Sequence, residues 1–387
     1  MRCFAAVVVL ALLPASLYAQ SEAVAIPMTT DRWQAEPGRI TFMTHKGVPA
    51  MRVQAPGEGE LFTGAAQAVL EDVNFSDGTI EFDLEITDFF LVGIYFRRTD
   101  ADNGEIFYLR THRTDDPTGV DAVQYTVLTQ GAALWDLHPH FQGAALLKKN
   151  DWNRIKLVLS GQQMYVYVNN PDEPVLVVPN LAGDASSGSI AFEGGGIFAN
   201  LVITPGATEG VSPVPGFDPT QQDPRYLRNW QVSAPIDLPL GQELVSVNGF
   251  ALHGDALPSE SIAWEPIKAE YGSLVNLSRR FGKTENRRAV WLKQTLTVET
   301  DQVRYINLGF SDEVWVVLNG QLVFVDKNAY GHPIMKDPFG QISTEDARFA
   351  LPLRAGENEL LIGLANSFFG WAIIAKIDQI DGVTIEQ

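Results

Sequence analysis

The chain has 387 residues, 45% of them hydrophobic, with 47 acidic against 28 basic side chains and a formal charge of −19. No basic run offsets that balance, so the surface repels nucleic acid and anionic lipid, and neither is expected as a partner. The single cysteine is Cys3, which excludes a disulfide framework and a cysteine nucleophile from the rest of the chain and leaves stability to burial alone.

In chain order, Met1-Arg2 gives a short positive start, Phe4 to Leu13 an apolar run, and Pro14 to Ala19 a small-residue exit. This pattern predicts a secretory signal over residues 1–19, cleaved near Ala19, and hence a periplasmic or secreted protein. The run is too short for a membrane-spanning helix, and no later stretch approaches one. Beyond it, apolar and polar residues alternate with period two, broken by Gly, Asn, Asp and Pro. With 33 Gly and 22 Pro, the reading is all-β: many short strands joined by turns. Residues 206–222, with Ser212-Pro213-Val214-Pro215-Gly216-Phe217-Asp218-Pro219, read as a Pro-rich linker. They divide the chain into two predicted β-sandwiches, residues 20–205 and 223–387.

In the first half, Gly78 to Ile86 alternates cleanly, with Ile80, Phe82, Leu84 and Ile86 predicted to face inward. Strands are expected over residues 92–98, 105–113, 122–128, 152–159, 164–168, 188–192 and 198–203, with a tight turn at Gly161-Gln162. The segments Phe75 to Ile86, Asp151 to Asn170 and Gly188 to Ile203 resemble the concanavalin A-like, laminin G-type jelly roll. In the second half, Asn319-Gly320 between Glu313–Leu318 and Gln321–Val325 is a strong hairpin signal, because both central residues need positive φ. Tyr305 to Phe324, Phe349 to Asn366 and Phe368 to Ile377 resemble the galactose-binding-like jelly roll. The first resemblance implies a fold shared by lectins, glucanases and plain adhesion modules, and the second a module that binds sugar or braces a neighbouring domain of secreted glycosidases and esterases; a carbohydrate partner is expected.

Several residue sets could carry chemistry. Tyr95 and Arg97 on one strand, and Tyr108, Arg110 and His112 on the next, are expected to share a concave face. Aromatic rings and forked donors there would suit a sugar. Trp135 and His138, in the loop Trp135 to His140, and Asn328, Tyr330 and His332, in a loop of the second half, are further ligand-binding candidates. Phe368 and Phe369 lie in a late loop, whereas Trp371 opens a core strand. Glu81, Asp83 and Glu85 match the Glu-x-Asp-x-Glu spacing of the lichenase and laminarinase glucanases, and alternation puts all three on one face. That resemblance implies a glycoside hydrolase, with a polysaccharide lyase as a neighbouring alternative. Asp100, Asp102 and Asn103 resemble part of a calcium loop, so a structural calcium is suggested; His138 and His140 with Asp136 could also serve as metal ligands or an acid/base pair, and no other cofactor is expected. Gly-x-Ser-x-Gly, a phosphate loop, a dinucleotide fingerprint and HExxH are all absent from the sequence. The expected function is recognition of a glycan on the concave face of the first sandwich, set against catalysis at that face and against a purely adhesive or structural role.

Overall fold

A computed structural model describes residues 22–385 apart from 36–38, 55–66, 89–90, 117, 246, 249–250, 253–256, 260 and 284–285. The proposed signal lies outside the described residues. Nearly all of the regular secondary structure among the described residues is strand, and the named strands pair antiparallel. Among the described residues no helix is long and apolar enough to cross a membrane.

The first sandwich packs two eight-stranded sheets. One runs, across the sheet, Leu176–Val178, Gln163–Val168, Asn153–Ser160, Gly78–Ile86, Gly196–Pro205, Val48–Val53 and Ile40–His45, with Val24–Ala25 as an eighth strand paired with Gly196–Pro205. The other runs Ala132–Ala133, Val123–Thr129, Asn103–Arg110, Leu91–Asp100, Ser189–Gly194, Ala68–Leu70 and Trp33–Gln34, with Gln142–Gly143 as an eighth strand paired with Val123–Thr129. Ile80, Phe82, Leu84 and Ile86 all point into the shared core, against Phe192, Phe198 and Leu157. Strict alternation makes this unavoidable: once Phe82 is inside, Glu81 and Asp83 must be outside.

The second sandwich packs an eight-stranded sheet, centred on Arg288–Val298 and Gly356–Asn366, against a four-stranded one, Val275–Asn276, Ala372–Ile377, Gln302–Ser311 and Ala347–Leu353. Asn319 and Gly320 turn the hairpin with φ of 50° and 74°, as the Asn-Gly pair requires. Trp371 is fully buried in this core.

Residues 206–222 form a packed strap. The Pro213 carbonyl accepts from the Gln162 N–H at 3.3 Å and the Pro179 carbonyl from the Gly216 N–H at 2.7 Å, while Asp218 accepts from the Gly272 N–H at 3.2 Å. Proline-rich composition predicts only the lack of regular structure here, because prolines cannot donate to a ladder but still expose carbonyls for others to use.

The two sandwiches share an apolar cluster: Val127, Ala132, Leu134 and Leu137 from the first pack with Leu274, Ile342 and Ala372 from the second. Gly370 packs directly against the Asp136 and Leu137 side chains of the first sandwich. A Cβ there would stand 2.4 Å from Leu137 Cγ and 2.6 Å from Asp136 Oδ1, so no larger residue fits without a shift.

Candidate functional site

The seam is built from a segment that leaves the strand Val123–Thr129 and returns to it. Ala132–Ala133 pairs with its end, residues 134–141 cross the outer face of the sheet, and Gln142–Gly143 pairs with its beginning. Trp135 thereby lies over Tyr95, Ile106 and Tyr108 in one buried cluster that also takes Phe369. From the second sandwich, Tyr330 meets Trp135 edge-on at 5.2 Å, and Phe369 does so at 5.6 Å. Candidate residues far apart in sequence, Tyr95, Tyr108, Trp135 and Tyr330, are thus brought together.

Most of them are closed to a ligand. Tyr95 is 1% exposed and Tyr108 3%, so the expected binding face of the first sandwich is covered by the Trp135 segment and the second sandwich. The polar atoms of Tyr108 and Arg110 brace that cover. Gln124 Oε1 accepts from Tyr108 Oη and from Arg110 Nη2, each at 2.5 Å, while its Nε2 donates to the Trp135 carbonyl at 2.7 Å. Arg110 Nη1 donates to the Asp121 carbonyl at 2.8 Å. His138 is buried beside Thr126, with Nδ1 3.1 Å from the hydroxyl, and burial pushes its pKa well down, leaving it neutral. Asn328 is buried too, and its amide holds the carbonyls of Phe310 and Gly340 at 3.2 and 3.1 Å.

Two expectations fail on backbone geometry. Arg97 does not share the face of Tyr95. It takes φ of 47° at a register shift in its strand, and its guanidinium donates to Ser76 O, Asp77 Oδ1 and Gly161 O, each at 2.9 Å. A bulge re-aims a side chain in this way. His112 does not continue the strand of Tyr108 and Arg110, which ends at Arg110. It lies, exposed, in the short turn of helix Thr111–Arg113. His332 is exposed on its loop. Tyr330 is 46% exposed and stacks at 5.5 Å on Phe368, itself 43% exposed.

The acidic ladder faces outward on the other sheet and is ion-paired throughout. Arg154 reaches Glu81 at 2.7 Å and Asp83 at 3.4 Å, and Asn200 donates to Asp83 at 2.7 Å. Glu85 is met by Lys46 at 2.7 Å and His45 at 2.9 Å. Desolvation pushes its pKa up, but the hydrogen bonds and charges of Lys46 and His45 outweigh it, so Glu85 is held below the usual range. A glycosidase pair needs one carboxyl that keeps its proton, and Glu85 is not that group. At the expected calcium loop, Asp100 Oδ1 accepts from Asp102 N at 2.8 Å and Asn103 Nδ2 at 2.9 Å, and Asn103 Oδ1 accepts from Gln130 N at 2.9 Å. These oxygens close a hairpin turn, where a metal would need them free. Among the described residues no group of three or more His, Cys, Asp or Glu is arranged to hold a metal.

The open part of the seam is a groove of about 430 Å³, lined from one side by His140, Phe141 and residues 180–184 and from the other by Glu270, Tyr271 and Arg279. His140 packs on Phe141 at 4.0 Å, and Tyr271 lies near-parallel to both at 5.9 Å. Arg279 bridges the two walls. It pairs with Glu270 at 2.5 Å, with Asp184 at 2.6 Å, and donates to the Ala182 carbonyl at 2.5 Å. Asn276 sets this up by capping the short helix Leu277–Phe281, its Oδ1 accepting from Arg279 N at 3.1 Å. Sequence reasoning missed Tyr271, Glu270 and Arg279. The Asn cap before a short apolar-basic turn was the only signal available.

A smaller cavity of about 240 Å³ shares Gly183 and Asp184 with the groove and is lined by Glu105 and Arg97. Glu105 is buried; desolvation pushes its pKa up to about 7, although the Tyr125 hydroxyl and Arg97 pull it down. A Cβ on Gly183 would stand 2.4 Å from its Oε1.

Deeper in the seam two carboxylates face one hydroxyl. Ser311 Oγ is 3.3 Å from Asp136 Oδ2 and 3.1 Å from Asp312 Oδ1. Burial and then the charge of Asp312 push Asp136 up to about 8, and burial pushes Asp312 up to about 6.

No protein-family model matches the chain, and no curated protein matches it. Solved structures are similar to part of it. A carbohydrate-binding module from Bacillus subtilis is 18% identical over 44% of this chain and 95% of its own, with a TM-score of 0.33. A galectin from Caenorhabditis elegans is 16% identical over 44% of this chain and 98% of its own, at 0.25. A lichenase from a mouse hindgut metagenome is 9% identical over 47% of this chain and 98% of its own, at 0.31.

Proposed function

We propose that this chain is an exported carbohydrate-recognition protein that holds a glycan in the groove between its two sandwiches. The observation that carries the reading is the lining of that groove: the rings of His140 and Tyr271, with His140 backed by buried Phe141, beside the Glu270–Arg279–Asp184 ion cluster. Ring faces suit the C–H faces of a sugar, while carboxylates and a guanidinium bind its hydroxyls in fixed directions. Export to the periplasm or beyond rests on the signal-like first 19 residues. The test is a glycan array probed with the intact protein, followed by reducing-end assays on every bound glycan. Binding without release of new reducing ends supports recognition; no bound glycan at all supports an adhesive or structural role instead.

A second reading, hydrolysis of the bound glycan, has one observation in its favour. Burial raises the pKa of Glu105 to about 7, and Glu105 lines a cavity with Asp184; a raised carboxyl pKa is what a general acid of a glycosidase needs. If reducing ends appear, Glu105→Gln should abolish their release and leave binding intact.

A further inference from the structure

The second sandwich contains a split in its larger sheet. One edge of the strand Arg288–Val298 is met by three short strands in turn. Ile236–Asp237 pairs opposite Ala289 and Arg288, Asn229–Ser233 opposite Lys293 and Leu292, and Val383–Ile385 opposite Leu296 to Val298. Gln294 and Thr295 fall between the second and third, with no strand in register on that side. Asn229 and Trp230 meanwhile pair only with Lys268 and Ile267 on the outer strand. The strands diverge there and leave a cavity of about 400 Å³, within the range of about 300–1,000 Å³ typical of small-molecule sites.

The chemistry of that cavity is opposite to that of the rest of the molecule. Its described lining includes Asn229, Gln231, Gln294, Thr295, Lys268 and Lys293, and no acidic residue, in a chain with 47 acidic side chains against 28 basic. The Lys293 ammonium is held 4.5 Å above the ring of Trp264, which limits its wandering at the rim. The carboxamides of Asn229 and Gln231 offer a donor and an acceptor side by side, the match for adjacent hydroxyls. Lys268 and Lys293, with no acidic residue in the described lining, favour an anion.

We infer that this split is a second binding site, selective for a carboxylate-bearing sugar of the hexuronate class. The sugar part rests on the carbohydrate reading given above, whereas the selectivity for an anion stands on the cavity alone. The site is separate from the groove, sharing no lining residue with it.

The test is calorimetric titration of the full chain with dimers of galacturonate, glucuronate and mannuronate, each beside its neutral hexose dimer. The expected result is binding of at least one diuronate and none of its neutral counterpart at this site. Lys268→Gln and Lys293→Gln should each weaken that binding about tenfold or more, raised salt should weaken it further, and Tyr271→Ala should leave it unchanged. Thermal melting of both lysine variants should match the wild type, which separates lost binding from lost fold. If no diuronate binds, or if binding survives both lysine variants, the site is refuted. If diuronate binding disappears in Tyr271→Ala and not in the lysine variants, the ligand belongs to the groove: the second site then fails while the groove reading stands.

Discussion

The outer faces of the two sheets in the first sandwich start from the same kind of sequence and end in opposite environments. Glu81, Asp83 and Glu85 alternate with core residues on one; Tyr108 and Arg110 do so on the other. The acidic face is partly open, with Glu81 and Asp83 half-buried and Glu85 buried, and settles its charges with Arg154, Lys46 and His45. The aromatic face lies under Trp135 and the second sandwich. An alternating strand therefore specifies which residues leave the core, and only the partner domain decides whether they meet water.

Four substitutions test that contrast, in falling order of expected effect. Trp135→Ala removes the side chain that covers Tyr95 and Tyr108. It should cost about 3–5 kcal/mol in urea unfolding, and a loss below about 1 kcal/mol would mean the face is not closed in solution. Gly370→Ala places a methyl against Leu137 and Asp136 and should cost about 1–3 kcal/mol. It should also split a single unfolding transition into two as the sandwiches separate. Asp136→Asn tests the buried carboxylates. Because the pKa of Asp136 in the fold is raised to about 8, the folded chain keeps a proton that the unfolded chain has already lost. Stability therefore falls as pH rises from about 4 to about 8, by up to about 1.4 kcal/mol per pH unit. The asparagine should make that fall shallower, and an unchanged profile of melting temperature against pH would show that Asp136 is not the group responsible. Arg154→Ala, on the open face, should cost less than about 1 kcal/mol, a loss that salt reduces further.

The sequence was most readable where the backbone repeats itself. Period two placed Ile80, Phe82, Leu84 and Ile86 inward, and Asn319-Gly320 announced its hairpin, because these are local consequences of sterics. Reading failed where one residue broke the period. The bulge at Arg97 turned its side chain away from Tyr95, and the strand of Arg110 stopped before His112. It also failed where the environment came from far along the chain. Asp136 meets Ser311 across 175 positions, and nothing near Tyr108 signals that Trp135 and Phe369 will cover it. The groove was hidden for the same reason: its walls come from residues 138–184 and 270–279, and neither stretch carries a motif. A Pro-rich composition likewise marked residues 206–222 as irregular and gave no sign that they would pack as a strap.

The most direct test of the account compares the affinity of one array-selected glycan for wild type, Tyr271→Ala and Arg154→Ala, measured by calorimetry at fixed salt. A seam site predicts that Tyr271→Ala weakens binding about tenfold or more while Arg154→Ala matches the wild type. Full affinity in Tyr271→Ala with loss in Arg154→Ala would place the sugar on the open acidic face and contradict the account.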